Sequence, residues 1–256
     1  MAARAEFDEV APFYDRIRPA PSPEELGTLE GLLDGCTTIL DAGVGTGRFA
    51  LALGARQYSV IGVDLSMGMI RVARRKGVGT LLRADVHRLP LPDRAVDAAF
   101  MANVLQLVPD PRAALAELGR VSRRTVVVLV SDWAEWQAGR ASRELRERYR
   151  KMAAELGHPV PERARRYEHT LRQLRAIAPP KVVRVIPAPS LTDLTLDERL
   201  AVLETFAFGL GSIPAPVHAE IVRRMYTDPP LDRRRLASDW RGRFVAWAPE
   251  DLRNAA

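Results

Sequence analysis

The chain is poor in several residue types, and each shortage excludes something. It has one cysteine in 256 residues, Cys36. A lone thiol makes no disulfide within the chain, which excludes a disulfide-stapled scaffold and suits a reducing compartment. Cys36 reads as a small buried apolar residue. Four scattered histidines and this cysteine give no ligand cluster, so no metal centre is expected. Lysine occurs only at Lys76, Lys151 and Lys181, so the 38 basic residues are nearly all arginine. No apolar run approaches the roughly 20 residues needed to span a bilayer. The segment from Met1 to Glu9 is mixed and acidic, without the apolar stretch of a signal peptide. These absences predict a cytoplasmic protein with no membrane partner. Repeats and low-complexity tracts are also missing.

What is present is ordinary for a globular α/β protein: 47% hydrophobic and 27% charged residues. The net charge of +6 is unevenly spread. Residues 139–184 carry 13 Arg/Lys against 5 Asp/Glu, a balance of +8 that leaves the rest of the chain near −2. The basic excess therefore belongs to one segment. Arg140, Arg143, Arg146, Arg148, Arg150, Lys151, Arg163, Arg165 and Arg166 could form an anion-binding surface. Only Tyr149 and Tyr167 are interleaved, which gives little base stacking, and Glu144 and Glu147 sit within helical pairing distance of their basic neighbours.

The pattern from residue 23 to 130 alternates helix and strand. Helices are expected at 23–34, 48–57, 67–76 (with Ser66 as N-cap) and from Pro111 to about Ser122. Strands are expected at 38–41, 59–63, 80–83, 96–101 and 125–130, the last nearly all valine and so buried on both faces. Alternation of this kind predicts a parallel sheet wound in right-handed crossovers. Beyond Val130 helices are expected at 135–156, 162–177, 197–209 and 215–226. Strands are expected at 181–187 and 243–247, the last antiparallel at the sheet edge. The predicted fold is a Rossmann-like, seven-stranded, mostly parallel sheet with helices on both faces and an inserted helical cap. The expected division is an N-terminal helical segment or lid at 1–36, a Rossmann-like core at 37–131, and cap insertions with the last strands at 132–256.

The strongest functional signal is Leu40-Asp41-Ala42-Gly43-Val44-Gly45-Thr46-Gly47-Arg48-Phe49. Three glycines at alternate positions let a ligand approach the main chain. Gly45-Thr46-Gly47-Arg48-Phe49-Ala50 also fits the G-x-G-x-x-A fingerprint of dinucleotide sites, with Asp64 at 19 residues beyond Gly45, near the spacing of a ribose-binding acid. Asp64 suits any adenosine ligand. Asp41 discriminates: beside a pyrophosphate a carboxylate repels, and beside the ammonium of an amino acid it attracts. S-adenosylmethionine carries an adenosine, an α-ammonium and no phosphate.

These residues resemble the first motif of class I S-adenosylmethionine-dependent methyltransferases. Further segments resemble that family in order: Gly62-Val63-Asp64-Leu65-Ser66-Met67-Gly68-Met69, Arg83-Ala84-Asp85-Val86-His87-Arg88-Leu89-Pro90, Asp97-Ala98-Ala99-Phe100-Met101 and Val104-Leu105-Gln106-Leu107-Val108-Pro109. Phe13-Tyr14-Asp15-Arg16-Ile17-Arg18-Pro19 is similar to the N-terminal segment of its small-molecule branch. The resemblance covers about residues 7–130. It implies that Asp41, Ala42, Gly43, Gly45, Thr46 and Gly47 hold the methionine part and that Asp64 takes the ribose hydroxyls. Leu65 and Met69 would flank the adenine, with Asp85 and the Val86 N–H on its polar edge and Asn103 beside the donor. Tyr14 and Arg18 would fold over the donor, Arg18 facing its carboxylate.

The family's chemistry asks little of a catalytic residue, and none is assigned. His87, Asp132 and His158 are candidate bases, with Tyr14 as an orienting group. Two departures stand out. His87 occupies a position where a glutamate is usual, and Gln106 with Leu107 replaces a frequent histidine pair. The chain lacks the Asn-Pro-Pro-Tyr element of enzymes acting on exposed amino groups. Phe206, Phe208, Leu210 and Ile213 suggest an apolar pocket wall. The expected function is methyl transfer to a small, apolar or aromatic acceptor. The alternatives are an RNA methyltransferase using residues 139–184, a non-enzymatic S-adenosylmethionine-binding module and, more remotely, a nicotinamide-dependent oxidoreductase.

Overall fold

The computed structural model describes residues 7–8, 11–17, 20–131, 140–159, 171–187, 213–227 and 241–255. They fall into two compact units: residues 1–132, 167–187 and 241–256 form one, and residues 133–166 and 188–240 the other.

The first unit is built on one sheet. Its strands are β1 (Thr38–Ala42), β2 (Ser59–Asp64), β3 (Thr80–Arg83), β4 (Val96–Ala102), β5 (Ser122–Ser131), β6 (Val182–Pro187) and β7 (Arg241–Trp247), in the order β3-β2-β1-β4-β5-β7-β6. The first five run parallel, and β7 is antiparallel to both β5 and β6. The strand order reverses direction between β1 and β4, where the chain leaving β1 towards β2 and the chain leaving β4 towards β5 diverge and open a crevice at the strands' C-terminal ends.

Both faces of the sheet are covered, as nearly continuous apolar strands require. On one face Ala98, Phe100, Val127, Leu129, Phe244 and Ala246 pack with Leu26, Leu29 and Leu33 of the segment containing α2 (Pro23–Leu32), and with Phe49 and Leu53 of α3 (Arg48–Gly54). On the other, Ala99, Met101, Val126, Val128, Val245 and Trp247 pack with Leu115 and Leu118 of α5 (Pro111–Val121). Leu174 of α7 (Leu171–Ile177) and Leu252 of α9 (Pro249–Arg253) complete that layer. A short helix α1 (Tyr14–Ile17) lies N-terminal to these and α4 (Met67–Arg75) follows β2.

Local chemistry sets the helix ends. Ser22 and Glu25 form a reciprocal capping box at α2. The Ser66 hydroxyl accepts from Met69 N–H at α4, and Asp110 caps α5 ahead of Pro111. Asp97 accepts from the N–H and hydroxyl groups of Thr37 and Thr38, four contacts of 2.9 Å that tie the starts of β1 and β4 together. Those donors hold its carboxyl well below the usual range.

Two expectations need correction. The sequence pattern puts the last strand at the sheet edge, but β7 lies between β5 and β6, and β6 is the edge. Phe244, Val245, Ala246 and Trp247 are all buried, whereas Arg184 and Val185 of β6 are exposed, so burial assigns the interior place to β7. The helix expected over 48–57 ends at Gly54, and Gln57 turns the chain with φ 68°.

The second unit contains α6 (Arg140–Glu155) and α8 (Ala215–Thr227), joined by a core of Tyr149, Met152, Ala153, Ile213, Ile221 and Met225. Tyr149 Oη and His218 Nδ1 share a 2.6 Å hydrogen bond. His158 lies in this unit, in the turn after α6, where its N–H donates to Ala153 O. The helix expected at 197–209, the patch at 206–210, Arg163, Arg165 and Arg166 lie outside the described residues, as do Arg18 and Asp132.

Candidate functional site

The loop between β1 and α3 turns three times through left-handed backbone, at Gly43 (φ 80°), Gly45 (φ 54°) and Gly47 (φ 86°). At Gly43 a Cβ would stand 2.2 Å from Val104 Cγ2, so only glycine lets the loop pass the end of β4. At Gly47 a Cβ would meet Val78 at 2.6 Å, and its absence lets α3 pack on α4. Gly45 differs: a Cβ there would meet nothing within 4 Å. Its bare face borders open space, as a ligand cradle requires.

Two adjoining cavities open above this loop. The smaller, about 40 Å³, has charged and polar groups in its wall, Asp41, Thr46 and Arg48, beside Phe49. The larger, about 200 Å³, is walled mainly by apolar groups, with Phe7, Leu65, Met69, Val86, Leu107 and Val108 among them, and also by Asp64, Asp85 and His87. Tyr14, Gly43, Gly45, Ala102 and Asn103 line both, so the cavities meet across these residues. A ligand with a small charged end and a larger flat end fits this division.

Asp41 sits at the polar end, 2% exposed. Burial pushes its carboxyl up to about 7, reinforced by the nearby Asp64 carboxylate and only partly countered by the Ala50 N–H and by Arg48. An approaching cation is the group that relieves this. Arg48 reaches the same cavity, held by Glu25 Oε2 at 2.5 Å, with its guanidinium 4.7 Å above the Phe49 ring. Glu25 is itself 5% exposed, so this is a buried pair spanning α2 and α3.

Asp64, at the end of β2, is raised by burial, with Asp8 adding to the effect. The N–H groups of Ser66, Gly45 and Leu65 offset it. Oδ2 accepts from Gly45 N–H and Oδ1 from Ser66 N–H, both at 2.8 Å, so one carboxylate ties the glycine loop to the start of α4. The carboxylate keeps acceptor capacity for a ligand hydroxyl.

Asp85 and His87 form a pair at the far end. Asp85 Oδ1 accepts from His87 N–H at 2.9 Å and shares a 2.6 Å hydrogen bond with His87 Nδ1. Partial burial tends to raise the Asp85 carboxyl, but its bonds to the His87 amide and ring outweigh that and lower it. His87 Nε2 is buried with no partner among the described residues. The loop carrying them is braced from α5: Arg120 donates to Leu89 O, Leu91 O, Asp93 and Glu117, and Glu117 accepts from Leu89 N–H at 2.7 Å.

Of the residues expected at the site, Tyr14, Asp41, Gly43, Gly45, Thr46, Asp64, Leu65, Met69, Asp85, Val86, His87 and Asn103 line one cavity or both. Ala42 lines neither and is buried in the sheet core, and Gly47 serves helix packing. His158 belongs to the other unit. Asn103 carries a positive φ of 55°, unusual for a residue other than glycine, and turns the chain off β4 into the cavity wall. Phe7, Asp8, Asp15, Glu25 and Arg48 are the site residues that sequence patterns did not single out. The signal available for Arg48 was its place directly after the glycines.

A glycine loop with a buried acid at its mouth, a second acid at the end of β2 and a third after β3, on this strand order, is similar to the arrangement of class I S-adenosylmethionine-dependent methyltransferases. Residues 40–130 match the family model described as methyltransferase domain. A malonyl-[acyl-carrier protein] O-methyltransferase of Serratia marcescens is 44% identical over 97 residues, 38% of this chain and 38% of that protein. A ubiquinone/menaquinone biosynthesis C-methyltransferase of Syntrophotalea carbinolica is 37% identical over 142 residues, 50% of this chain and 60% of that protein. The matches thus span less than two thirds of these relatives' lengths. The crystal structure of an S-adenosylmethionine-dependent methyltransferase from Thermotoga maritima, described as a possible histamine N-methyltransferase, superposes with a TM-score of 0.51 at 25% identity. That match covers 71% of this chain and 83% of that one.

Proposed function

We propose that the chain transfers the methyl group of S-adenosylmethionine to a small-molecule acceptor. The observation that carries this is the joined cavity: a buried acid and Arg48 at a small polar end, and Asp64 and Asp85 along a larger apolar one. Asp41 takes the α-ammonium, and Arg48 faces the carboxylate. Asp64 accepts from the ribose hydroxyls, charge-assisted bonds of the stronger kind. Asp85, oriented by His87, takes the adenine amino group beside the Val86 N–H, between Leu65 and Met69.

Transfer is an in-line displacement. The acceptor's lone pair forms the new bond to the methyl carbon, the carbon–sulfur bond breaks and its electron pair returns to sulfur. Neutralising the sulfonium makes the sulfur an excellent leaving group, so the chain contributes mainly positioning and exclusion of water. Tyr14, at the junction of the cavities, is placed to orient the acceptor. His87, committed to Asp85, acts as a positioning residue and not as the base. Among the described residues no helix is long and apolar enough to cross a membrane. With Cys36 buried and unpaired, we place the reaction in the cytoplasm.

The curated relatives act on an acyl-carrier-bound acid and on a quinone precursor by their names, and a small acceptor of that general kind is the proposed substrate class. The test is transfer of a radiolabelled methyl group to a panel of carboxylic acids, thioesters, quinols and amines, with bulk tRNA and rRNA alongside. Label in a small acceptor supports the proposal. Label only in RNA would transfer the function to the basic 139–184 segment, and donor binding without any transfer would make the chain a binding module.

A further inference from the structure

The N-terminal arm reaches the cavity through two side chains and is fastened by two others. Phe7 and Tyr14 line the cavities, their ring centroids 6.5 Å apart at 60°. Asp8, next to Phe7, is seated on the first turn of α4: its Oδ1 accepts from Ser66 Oγ at 2.7 Å and from Gly68 N–H at 2.6 Å. The fit is close, because a Cβ on Gly68 would stand 2.8 Å from Asp8 Cα. Asp15, next to Tyr14, bridges two elements. Its Oδ1 accepts from Thr46 Oγ1 of the glycine loop at 2.6 Å, and its Oδ2 pairs with Lys76 Nζ at 2.7 Å after α4. Thr46 is 1% exposed, so its hydroxyl is committed to this contact.

We infer that Asp8 and Asp15 are positioning residues, two carboxylate fasteners that hold Phe7 and Tyr14 across the cavity that takes the methyl donor. The inference rests on the function proposed above for that cavity, but the fastening is a property of the unliganded chain. Each aspartate immediately adjoins an aromatic that walls the cavity, and each is anchored to a part of the cavity's own frame. Asp8 grips the helix that follows Asp64, and Asp15 grips the glycine loop that follows Asp41. The arm, the glycine loop and α4 therefore close on the donor as one body. The Lys76 pair is largely solvent-exposed and contributes least; the contacts to Ser66, Gly68 and Thr46 contribute most.

The test uses the full chain and five variants, Asp8→Ala, Asp15→Ala, the double variant, Lys76→Ala and Asp15→Asn. Two quantities are measured: the affinity and dissociation rate of S-adenosylhomocysteine, and hydrogen exchange of the arm without ligand. Each aspartate variant should release this product about tenfold faster, and the double variant about fiftyfold faster, with association little changed. Lys76→Ala should change dissociation less than about threefold. The amides of 11–17 should exchange at least about tenfold faster in the double variant, while those of β1 and β4 stay protected. Asp15→Asn, which keeps an acceptor for Thr46, should restore most of the affinity lost in Asp15→Ala. Unchanged dissociation and unchanged exchange in the double variant would overturn the inference. Failure of the unaltered chain to bind S-adenosylhomocysteine would overturn the function proposed for the cavity, and hydrogen exchange alone would then decide the fastening.

Discussion

Asp64→Ala is expected to abolish measurable S-adenosylhomocysteine binding, lowering affinity by at least about 100-fold. The size follows from the residue's double duty. In the unliganded chain its carboxylate satisfies the Gly45 and Ser66 N–H groups, each at 2.8 Å. Removing it leaves two backbone donors without a partner, at about 1–3 kcal/mol each where they are buried. It also removes the charge-assisted bonds proposed to the ribose, again about 1.5–3 kcal/mol apiece. Either loss accounts for an order of magnitude, and they act together because the glycine loop that grips the methionine part is held by the same carboxylate. Asp64→Asn keeps one good acceptor and should lose about tenfold. An Asp64→Ala variant whose calorimetric affinity stays within threefold of the unaltered chain would remove Asp64 from the site.

The second large effect is a proton. Burial and the Asp64 carboxylate lift Asp41 from 3.8 to about 7. Its folded value lies above its unfolded one, so the folded chain holds an extra proton between about pH 4 and pH 7. Stability therefore falls as pH rises through that window and is flat above it, with a total penalty on the order of 4 kcal/mol. The α-ammonium proposed to bind there should return Asp41 towards the ordinary carboxylate range. Binding near pH 6 should thus release nearly one proton, and affinity should rise by up to about tenfold per pH unit before levelling above pH 7. Calorimetry in buffers of different ionisation heat measures the release directly. Asp41→Asn should bind weakly at every pH and release none. Proton release by the unaltered chain that is absent across pH 5.5–8 would contradict this role. The two predictions are coupled, because Asp64→Ala also removes one cause of the Asp41 shift.

Much of the first unit is legible in the sequence because its signals are local. β3 falls on Thr80–Arg83 as expected, and Ser66 and Pro111 mark helix starts by their own chemistry. The placement of β7 was not read correctly because a strand's neighbours are not written in its own residues. Its run of consecutive apolar residues, Phe244 to Trp247, was the available clue to an interior position. Asp8, Asp15 and Glu25 went unnoticed for a similar reason. Their partners Gly68, Lys76 and Arg48 lie 60, 61 and 23 residues away, and only the fold brings them together. Asp41 shows a different limit. Its presence at the loop mouth is plain in the sequence, but its charge state is not. The charge state depends on how completely the loop buries it and on the approach of Asp64, neither of which a motif encodes.

The glycine loop alone admits two ligands, a dinucleotide with a pyrophosphate or an adenosine with an amino-acid tail. The joined cavity, with a buried acid at its polar end, favours the second. The most direct measurement is calorimetric titration of the unaltered chain at pH 8 with S-adenosylhomocysteine and, separately, with oxidised and reduced nicotinamide dinucleotides. One-to-one binding of S-adenosylhomocysteine in the micromolar range, with no heat from the dinucleotides, is the expected result. Saturable binding of a dinucleotide, with none of S-adenosylhomocysteine, would contradict it.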